Sequence, residues 1–342
     1  MCHEPTIEEV CALGAEQDIL HGRAAAVARE IFGGNVFVRA VVEVSNFCRE
    51  NCHYCGMRRD NRDLARFRAS WEQIAELLIH HRPQSVTDVN IQSGEDPRAV
   101  SEIVIPLIRA LRRETTLGIS VCLGTLPHEV YSGLREAGAV GYILKFETAH
   151  AGAYATFQSP GTLQERLAHI HQLASSNWRV SSGFIAGLPG QTASQLVEAL
   201  QLASRLPLRG ASVSPFIPGD QTPLAAAPAG NADQTLNCMA LLRLMNPDWA
   251  IPAVSALGLT DRKDAYVRGL LAGANLATIN ITPGPLQRDY VLYRRDRMIM
   301  TEQRVLAAIS AAGLQPSTTS MEEHYAVVGA GSHHRCRTAL TT

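Results

Sequence analysis

Three cysteines share one short polar loop of this chain. Cys48, Cys52 and Cys55 lie in the stretch "VSNFCRENCHYCGMRRDN", and the 342 residues contain eight cysteines in all. Thiolates bind zinc and iron–sulfur clusters, so this C-x-x-x-C-x-x-C spacing indicates metal chemistry. Three ligands from one loop fit a cubane cluster whose fourth iron stays open to a substrate or cofactor. Two alternatives stay open: a zinc site completed by His53, and three unrelated cysteines.

Composition narrows the class of protein. Hydrophobic residues make up 46% and charged residues 18%, which is typical of a globular chain, and the formal net charge is -1. Such a balance offers no basic field for nucleic acid. The acidic start "MCHEPTIEEVCALG" does not resemble a secretory signal, and no apolar run approaches a membrane span. We therefore expect a cytoplasmic protein that binds neither nucleic acid nor membrane, where clustered cysteines are metal ligands or catalysts.

Strand-like and helix-like stretches alternate along the chain and must position the cysteine loop. The first strand candidate, "NVFVRAVVEVS" (35–45), is almost continuously apolar and runs directly into that loop. Seven more candidates follow, separated by amphipathic stretches: 87–94, 118–125, 142–148, 179–190, 211–219, 251–258 and 276–283. This alternation predicts an α/β fold, a complete (β/α)8 TIM-type barrel with its chemistry on the loops after the strands.

The same pattern divides the chain into three parts. Residues 1–34 are expected to form a short helical N-terminal extension, residues 35–315 the barrel, and residues 316–342 a C-terminal tail. The clearest helix of the extension is "GRAAAVAREIF".

The cysteine loop resembles the signature of the radical S-adenosylmethionine (SAM) superfamily, in its biotin synthase-like branch. The resemblance implies a [4Fe-4S] cluster on Cys48, Cys52 and Cys55, with Tyr54 as the aromatic residue beside the third ligand. In that family the open iron binds SAM, and an electron from the cluster cleaves it to methionine and a 5'-deoxyadenosyl radical. The radical then abstracts hydrogen from an unactivated carbon, shielded inside the barrel.

Other segments resemble the elements that hold SAM in this family. Gly94 and Glu95 in "QSGEDP" match the motif that contacts the amino group of SAM. Glu147 in "KFETAH" and Arg166 in "LQERL" stand where related enzymes bind other polar groups of SAM. Gly187 belongs to "GFIAGLPGQT", which resembles the glycine motif near the adenine.

The branch is suggested by longer stretches. The segments "SNFCRENCHYCGMRRDN" and "PFIPGDQTPLA" resemble the radical SAM maturase of [FeFe]-hydrogenase, and "AGANLATINITPG" is closer to methylornithine synthase. Biotin synthase is a more distant relative that holds a second cluster on strand cysteines and an arginine. Cys122 matches one such cysteine, but Ser181 stands at another position and "IPAVSAL" carries no arginine. We therefore do not expect biotin synthesis.

The resemblance implies a radical SAM enzyme that acts on a small substrate inside the barrel, in hydrogenase-maturase or methylornithine-synthase-like biosynthesis, with a flavodoxin- or ferredoxin-like reductant. An alternative is sulfur insertion, as in lipoyl synthases or a two-protein lipoyl synthase, onto a protein-bound lipoyl precursor. That alternative needs a second iron–sulfur cluster, for which Cys2, Cys11 and Cys336 are the candidate ligands. An alternative of another class is a non-catalytic iron–sulfur scaffold or maturation partner.

Overall fold

Seven parallel strands form the centre of the computed structural model, which describes residues 3–260, 264–295 and 297–329. The strands are β1 (Asn35–Ser45), β2 (Asp88–Ser93), β3 (Gly118–Cys122), β4 (Gly141–Ile143), β5 (Arg179–Ala186), β6 (Gly210–Pro215) and β7 (Leu276–Asn280). Their order in the sheet is β6-β5-β4-β3-β2-β1-β7, and a two-residue strand β8 (Gln315–Pro316) pairs with the start of β1. The pairings between these strands are parallel, as the alternation of strands and helices predicts.

Helices cover the outside of the sheet. They are α1 (Ile7–Cys11), α2 (Ala15–Phe32), α3 (Trp71–His80), α4 (Pro97–Ala99), a π-helical turn (Val100–Val104), α5 (Ile105–Glu114), α6 (His128–Ala137), α7 (Ala151–Thr156), α8 (Leu163–Ser175), α9 (Ala193–Arg205), α10 (Ala232–Met245), a 3-10 turn (Ser255–Leu259), α11 (Ala265–Leu271), α12 (Gly284–Asp289), α13 (Glu302–Ala311) and α14 (Met321–Gly329). None of the helices in the described part of the chain has the length and apolar character to cross a membrane.

The sheet is a seven-stranded half-barrel, so the prediction of a complete eight-stranded barrel is wrong. The predicted strand at 251–258 does not form. Its first residues make single parallel bridges, Ala250 to Gly210 and Pro252 to Leu276, and the chain then turns into the 3-10 helix. Proline has no N–H to donate to a strand ladder, so Pro252 interrupts the pairing where the gap between β6 and β7 would close.

Strand β1 shows how the sheet separates its two faces. Val38, Ala40 and Val42 are fully buried against the helices, whereas Arg39 and Glu43 line the interior cavity. Successive side chains of a strand point to opposite faces, so the nearly continuous apolar run leaves alternate positions for a polar interior. The helix-facing side supplies the hydrophobic core, and the inner face supplies the site.

The helical N-terminal extension is held by a buried polar network. Asn237 of α10 donates to the carbonyls of Val10 and Ala12 at 3.1 and 2.9 Å, and its side-chain oxygen lies 2.9 Å from both Gln17 Nε2 and His21 Nε2. A buried amide that satisfies all these groups fixes one position for α1 and α2 on α10.

Within the predicted C-terminal tail, residues 321–329 form helix α14, which packs under the amino-terminal ends of the strands. The backbone N–H of Met321 donates to the Asp88 carboxylate at 3.1 Å, and Arg112 forms an ion pair with Glu322 at 2.8 Å. Tyr325 Oη donates to the carbonyl of Asp248 at 2.9 Å. The first turn of α14 thus lies on the floor of the sheet interior.

Burial of Asp88 predicts a pH-dependent stability. Burial raises the pKa of Asp88 to about 6 from its ordinary 3.8, so the folded state holds this proton more tightly than the unfolded state does. The contribution of Asp88 to stability is therefore greatest below pH 4 and is lost as the pH rises through about 6. A difference of about two in pKa corresponds to roughly 3 kcal/mol at most.

Asp88→Asn keeps an acceptor for Met321 but removes the titration. We expect the difference in thermal midpoint between Asp88→Asn and the wild type to grow in favour of the variant between pH 4 and pH 6. Parallel melting curves at these two pH values measure it. A pH-independent difference would contradict the assignment to this carboxyl.

Candidate functional site

The cysteine loop is organised around one guanidinium. Arg66 Nη1 donates to the carbonyls of Asn46 and Met57 at 2.6 and 2.9 Å, and its Nη2 donates to those of Arg58 and Asn61 at 2.7 and 3.2 Å. The loop is irregular, so its carbonyls need donors that regular structure would otherwise supply. Arg66 therefore fixes the backbone on both sides of the three cysteines.

The end of β2 packs directly against this loop at Gly94. A Cβ atom at Gly94 would overlap the carbonyl oxygen of Phe47 and lie 2.9 Å from the Cβ of Cys48. The next backbone N–H, that of Glu95, donates to Cys48 Sγ at 3.4 Å, and the N–H of Arg49 donates to the Glu95 carbonyl at 3.1 Å. Only glycine allows this approach, and hydrogen bonds to a ligand sulfur tune an iron–sulfur cluster.

Glu95 is a buried carboxylate between two arginines. Its oxygens lie 3.2 Å from Arg49 Nη2 and 3.5 Å from Arg166 Nη2, and the backbone N–H of Thr125 donates to it at 3.2 Å. Burial alone would lower the pKa of Arg166, but Tyr154 and Glu95 outweigh it and raise that pKa. The predicted residues Glu95, which follows β2, and Arg166, in the first turn of α8, thus meet in one charge-balanced group.

Glu147 follows β4 in a backbone conformation that non-glycine residues seldom adopt. Its φ is 61°, in the left-handed region. Its N–H donates to the carbonyl of Gly183, and its own carbonyl accepts from Ile185, so β5 holds the strained residue on both sides. The carboxylate lies 3.1 Å from Lys145 Nζ. Strain of this kind persists where the surrounding structure fixes a side chain for a function.

Tyr54 lies in an aromatic and aliphatic pocket beside the cysteines. It packs against the buried cluster of Phe157, Ile185, Leu188 and Phe216, and its hydroxyl lies 3.1 Å from Ser159 Oγ. This pocket supplies flat apolar surface next to the cysteine loop, a setting that suits a planar ring.

Gly187 stands at the edge of the same pocket, after β5. Its φ is 87°, and an added Cβ would lie 2.5 Å from the Cα of Gly230. Its N–H donates to Gln191 Oε1 at 2.6 Å. Two chain segments cross here at glycine distance. Gly187 does not line the cavity described below, and its predicted place near an adenine stays a prediction.

The three predicted ligands and the predicted cofactor residues Tyr54, Glu95, Glu147 and Arg166 line one cavity of about 450 Å³. The cavity continues from the loops down into the half-barrel. Its inner wall combines apolar surface with polar side chains, among them Arg39, Glu43, Gln92, Cys122, Lys145 and Thr278. The sequence therefore located both the rim and the shared cavity through the order of strand ends.

The three loop thiols are buried enough to hold their protons without a metal. Burial raises the pKa of Cys48, raises that of Cys52 well above its ordinary value, and raises that of Cys55 to about 12, with neighbouring cysteines adding to the last two. Metal binding would displace those protons. In the described chain no three Cys, His, Asp or Glu side chains converge as ligands of a single metal ion, so the zinc interpretation with His53 gains no support.

The cysteines considered for a second cluster are not brought together by the described structure. Cys11 is exposed at the end of α1, on the outside of the fold, whereas Cys2 and Cys336 lie outside the described residues. Cys238 is fully buried in α10, as its helical spacing predicts.

Sequence reasoning missed a segment that crosses the mouth of the half-barrel. This mouth segment comprises residues 284–295 and 297–300. Arg297 pairs with the fully buried Glu43 at 2.8 Å, and the Leu292 carbonyl accepts from Gly56 at 3.3 Å. Burial raises the pKa of Glu43, and Arg297 opposes that shift. In the sequence, Glu43 within the apolar stretch "VVEVS" indicated a buried charge that needs a partner. That partner, Arg297, lies 254 residues further along the chain.

Comparisons with known proteins agree with this geometry. The family model of the radical SAM superfamily matches residues 42–203. The [FeFe] hydrogenase maturase subunit HydE of Thermotoga maritima is 34% identical over 267 residues, which cover 78% of this chain and 76% of that protein. The 3-methylornithine synthase of Methanosarcina acetivorans is 25% identical, with 91% of this chain and 89% of that protein covered.

A solved structure supports the fold. The crystal structure of methylornithine synthase (PylB) superposes with a TM-score of 0.81 at 23% identity and covers 92% of this chain and 95% of that one. At this identity the likeness speaks for the architecture alone.

The packing at Gly94 predicts a local and severe effect of one methyl group. We expect Gly94→Ala to displace the cysteine loop, to destabilise the protein by roughly 1–3 kcal/mol and to reduce the iron retained after anaerobic reconstitution by more than half. Gly22→Ala is the matched control, because an added Cβ at Gly22 meets nothing within 4 Å. Equal iron content in the two variants would contradict the close-packing argument.

Proposed function

This chain belongs to the radical SAM superfamily, and we propose that Cys48, Cys52 and Cys55 hold a [4Fe-4S] cluster at which SAM is reductively cleaved to act on a small substrate in the cavity. The observation that supports the proposal is that residues from separate parts of the chain converge on one cavity. Three thiols from one loop share a cavity with Glu95, Glu147 and Arg166, which come from separate elements.

The residues present fit both groups. Three thiols, one of them already accepting an N–H bond from Glu95, form a donor set suited to three irons of a cubane cluster. When bound, the cluster and SAM supply a 5'-deoxyadenosyl radical that abstracts hydrogen from the substrate. The chain excludes water from this chemistry by burial, since Cys52 is 8% and Glu95 7% exposed.

The charged residues of the rim are suited to the polar end of SAM. The Glu95 carboxylate would accept from the amino group of SAM, while Arg49 and Arg166 hold the Glu95 carboxylate in place. Glu147, strained and paired with Lys145, would orient another polar group of SAM, and Tyr54 and Gly187 would bound the adenine. Each of these proposed roles is inferred from the position of the residue relative to the three loop cysteines.

The substrate is proposed to be small, because the cavity of about 450 Å³ lies inside the half-barrel. The relatives favour biosynthesis of the hydrogenase-maturase or methylornithine-synthase kind, with a one-electron donor such as a flavodoxin or ferredoxin. A cytoplasmic location stays a prediction. Sulfur insertion with a second cluster on Cys2, Cys11 and Cys336 is the alternative, and a non-catalytic scaffold is the alternative of another class.

Metal content and SAM cleavage test the proposal together. We expect about four irons per chain after anaerobic reconstitution, an EPR signal of a reduced [4Fe-4S] cluster, and formation of 5'-deoxyadenosine with SAM and dithionite. Cys52→Ala should lose the signal and the product, while Cys238→Ala, altered in the core away from the loop, should keep both. A stable cluster that yields no 5'-deoxyadenosine would favour the scaffold instead.

The same preparation separates the sulfur-insertion alternative. A variant that lacks Cys2, Cys11 and Cys336 should keep about four irons if one cluster is present. About eight irons in the wild type, falling to about four in this variant, would establish a second cluster and redirect the search to sulfur transfer.

The Glu95–Arg166 ion pair predicts that Arg166 contributes to the affinity for SAM. Arg166→Met leaves the Glu95 carboxylate facing one guanidinium instead of two, so we expect SAM affinity to fall about tenfold or more, with iron content unchanged. Equilibrium binding of SAM without reductant measures this. Arg113→Met is the control, because Arg113 is exposed on α5 and pairs with Glu114 at the surface; this variant should bind as the wild type does.

A further inference from the structure

We propose that Cys122 donates a hydrogen atom to carbon-centred radicals formed in the cavity. The inference rests on the proposed function and adds to it a residue that the cluster and SAM do not require. It concerns the way in which a radical intermediate is quenched.

Strand register places Cys122 at the level of the reaction. It is the last residue of β3, and its side chain lines the cavity shared with the three loop cysteines. Gln92 pairs with both Glu43 and Cys122 in the sheet, so these three residues form one ring across β1, β2 and β3. The ring lies directly beneath the loops that carry Glu95 and Glu147.

The surroundings keep this thiol protonated. Burial, then the nearby Glu147 carboxylate, raise the pKa of Cys122 to about 11, so it carries S–H at neutral pH. The loop cysteines lose their protons when they bind iron. Of the remaining described cysteines, Cys11 is exposed on the outside of the fold and Cys238 is buried in the core. Cys122 is therefore the thiol within the described cavity that can give up a hydrogen atom.

A second observation points to a ligand in the cavity around Cys122. Arg39 Nε is buried without a hydrogen-bond partner among the described residues, and its Nη2 reaches Thr278 Oγ1 only at 3.3 Å. The same guanidinium lies near enough to Cys122 to be influenced by it. A buried, under-bonded donor in the cavity is costly unless a bound group satisfies it.

The proposed reaction has two steps, hydrogen-atom transfer from Cys122 and regeneration of the thiol. The S–H bond of Cys122 breaks homolytically, and its hydrogen atom forms a C–H bond at the radical carbon, which leaves a thiyl radical. This transfer is downhill because an S–H bond is weaker than an alkyl C–H bond. One electron from the external one-electron donor and one proton from solvent then restore the thiol. Each such event consumes one SAM and, with the electron for its cleavage, two electrons.

A test needs SAM but no identified substrate. In D2O the thiol becomes S–D, so a 5'-deoxyadenosyl radical quenched by Cys122 yields singly deuterated 5'-deoxyadenosine. We expect mass spectrometry to find this label with wild-type protein, SAM and dithionite. Cys122→Ala and Cys122→Ser should lower the labelled fraction at least tenfold, because neither carries an S–D bond. Iron content of each variant confirms that the site is intact.

Tyr293→Phe is the matched control. Tyr293 is one of the tyrosines that line the cavity, near Lys145, and its phenol also carries a weak, exchangeable O–H bond. We expect this variant to keep the label. Label retained in Cys122→Ala, or lost in Tyr293→Phe and not in Cys122→Ala, would overturn the proposal. Formation of unlabelled 5'-deoxyadenosine by the wild type would also overturn it while leaving the proposed function standing; no 5'-deoxyadenosine at all would overturn both.

A readout independent of turnover tests the position of the thiol. In reconstituted protein without reductant, iodoacetamide at about pH 9 should alkylate Cys122 slowly through its small thiolate fraction, and S-adenosylhomocysteine should slow this reaction severalfold further. Peptide mapping measures both rates. Alkylation of Cys122 that is indifferent to S-adenosylhomocysteine would place the thiol away from the nucleoside and contradict the inference.

Discussion

The hydrogen bonds from the Arg66 guanidinium to four loop carbonyls are the interaction on which the site depends. Three cysteines within eight residues could face one cluster only if the backbone around them is fixed, and the Arg66 bonds hold that backbone before and after them. Burial lowers the pKa of Arg66, yet an arginine stays charged, so the carbonyls receive strong donors. The three proposed ligands are thereby placed in the protein without a metal, which would limit the ordering cost of binding one.

The fixed loop then determines what its neighbours must be. Gly94 has no side chain because the loop occupies that space, and Glu95 follows at once because the same turn aims its N–H at Cys48. Arg49 and Arg166 balance the resulting buried carboxylate, and Glu147 accepts backbone strain to face the same cavity from β4. Residues spread over more than a hundred positions meet because parallel strands end on the same side of the sheet.

That geometric rule explains how much the sequence could predict. Continuous apolar strands and the loops that follow them placed Cys48, Glu95 and Glu147 on one rim. The prediction of a closed barrel failed where tertiary context decides, because the segment around Pro252 makes only single bridges where its apolar residues favoured a strand. Helix α14 lies within the predicted C-terminal tail and was not foreseen. The Glu43–Arg297 pair and the Arg66 bonds could not be foreseen either, because a lone charged residue does not specify which distant group it will contact.

Helix α14 gives the half-barrel a closed lower end, since Met321, Glu322 and Tyr325 line the cavity from below. Substrate and product would therefore enter and leave on the loop side, where the rim residues would hold SAM. Under the proposed function, this single entrance imposes an order of events. A substrate that reacts inside would have to enter before SAM occupies the rim, and its product would have to leave after the fragments of SAM.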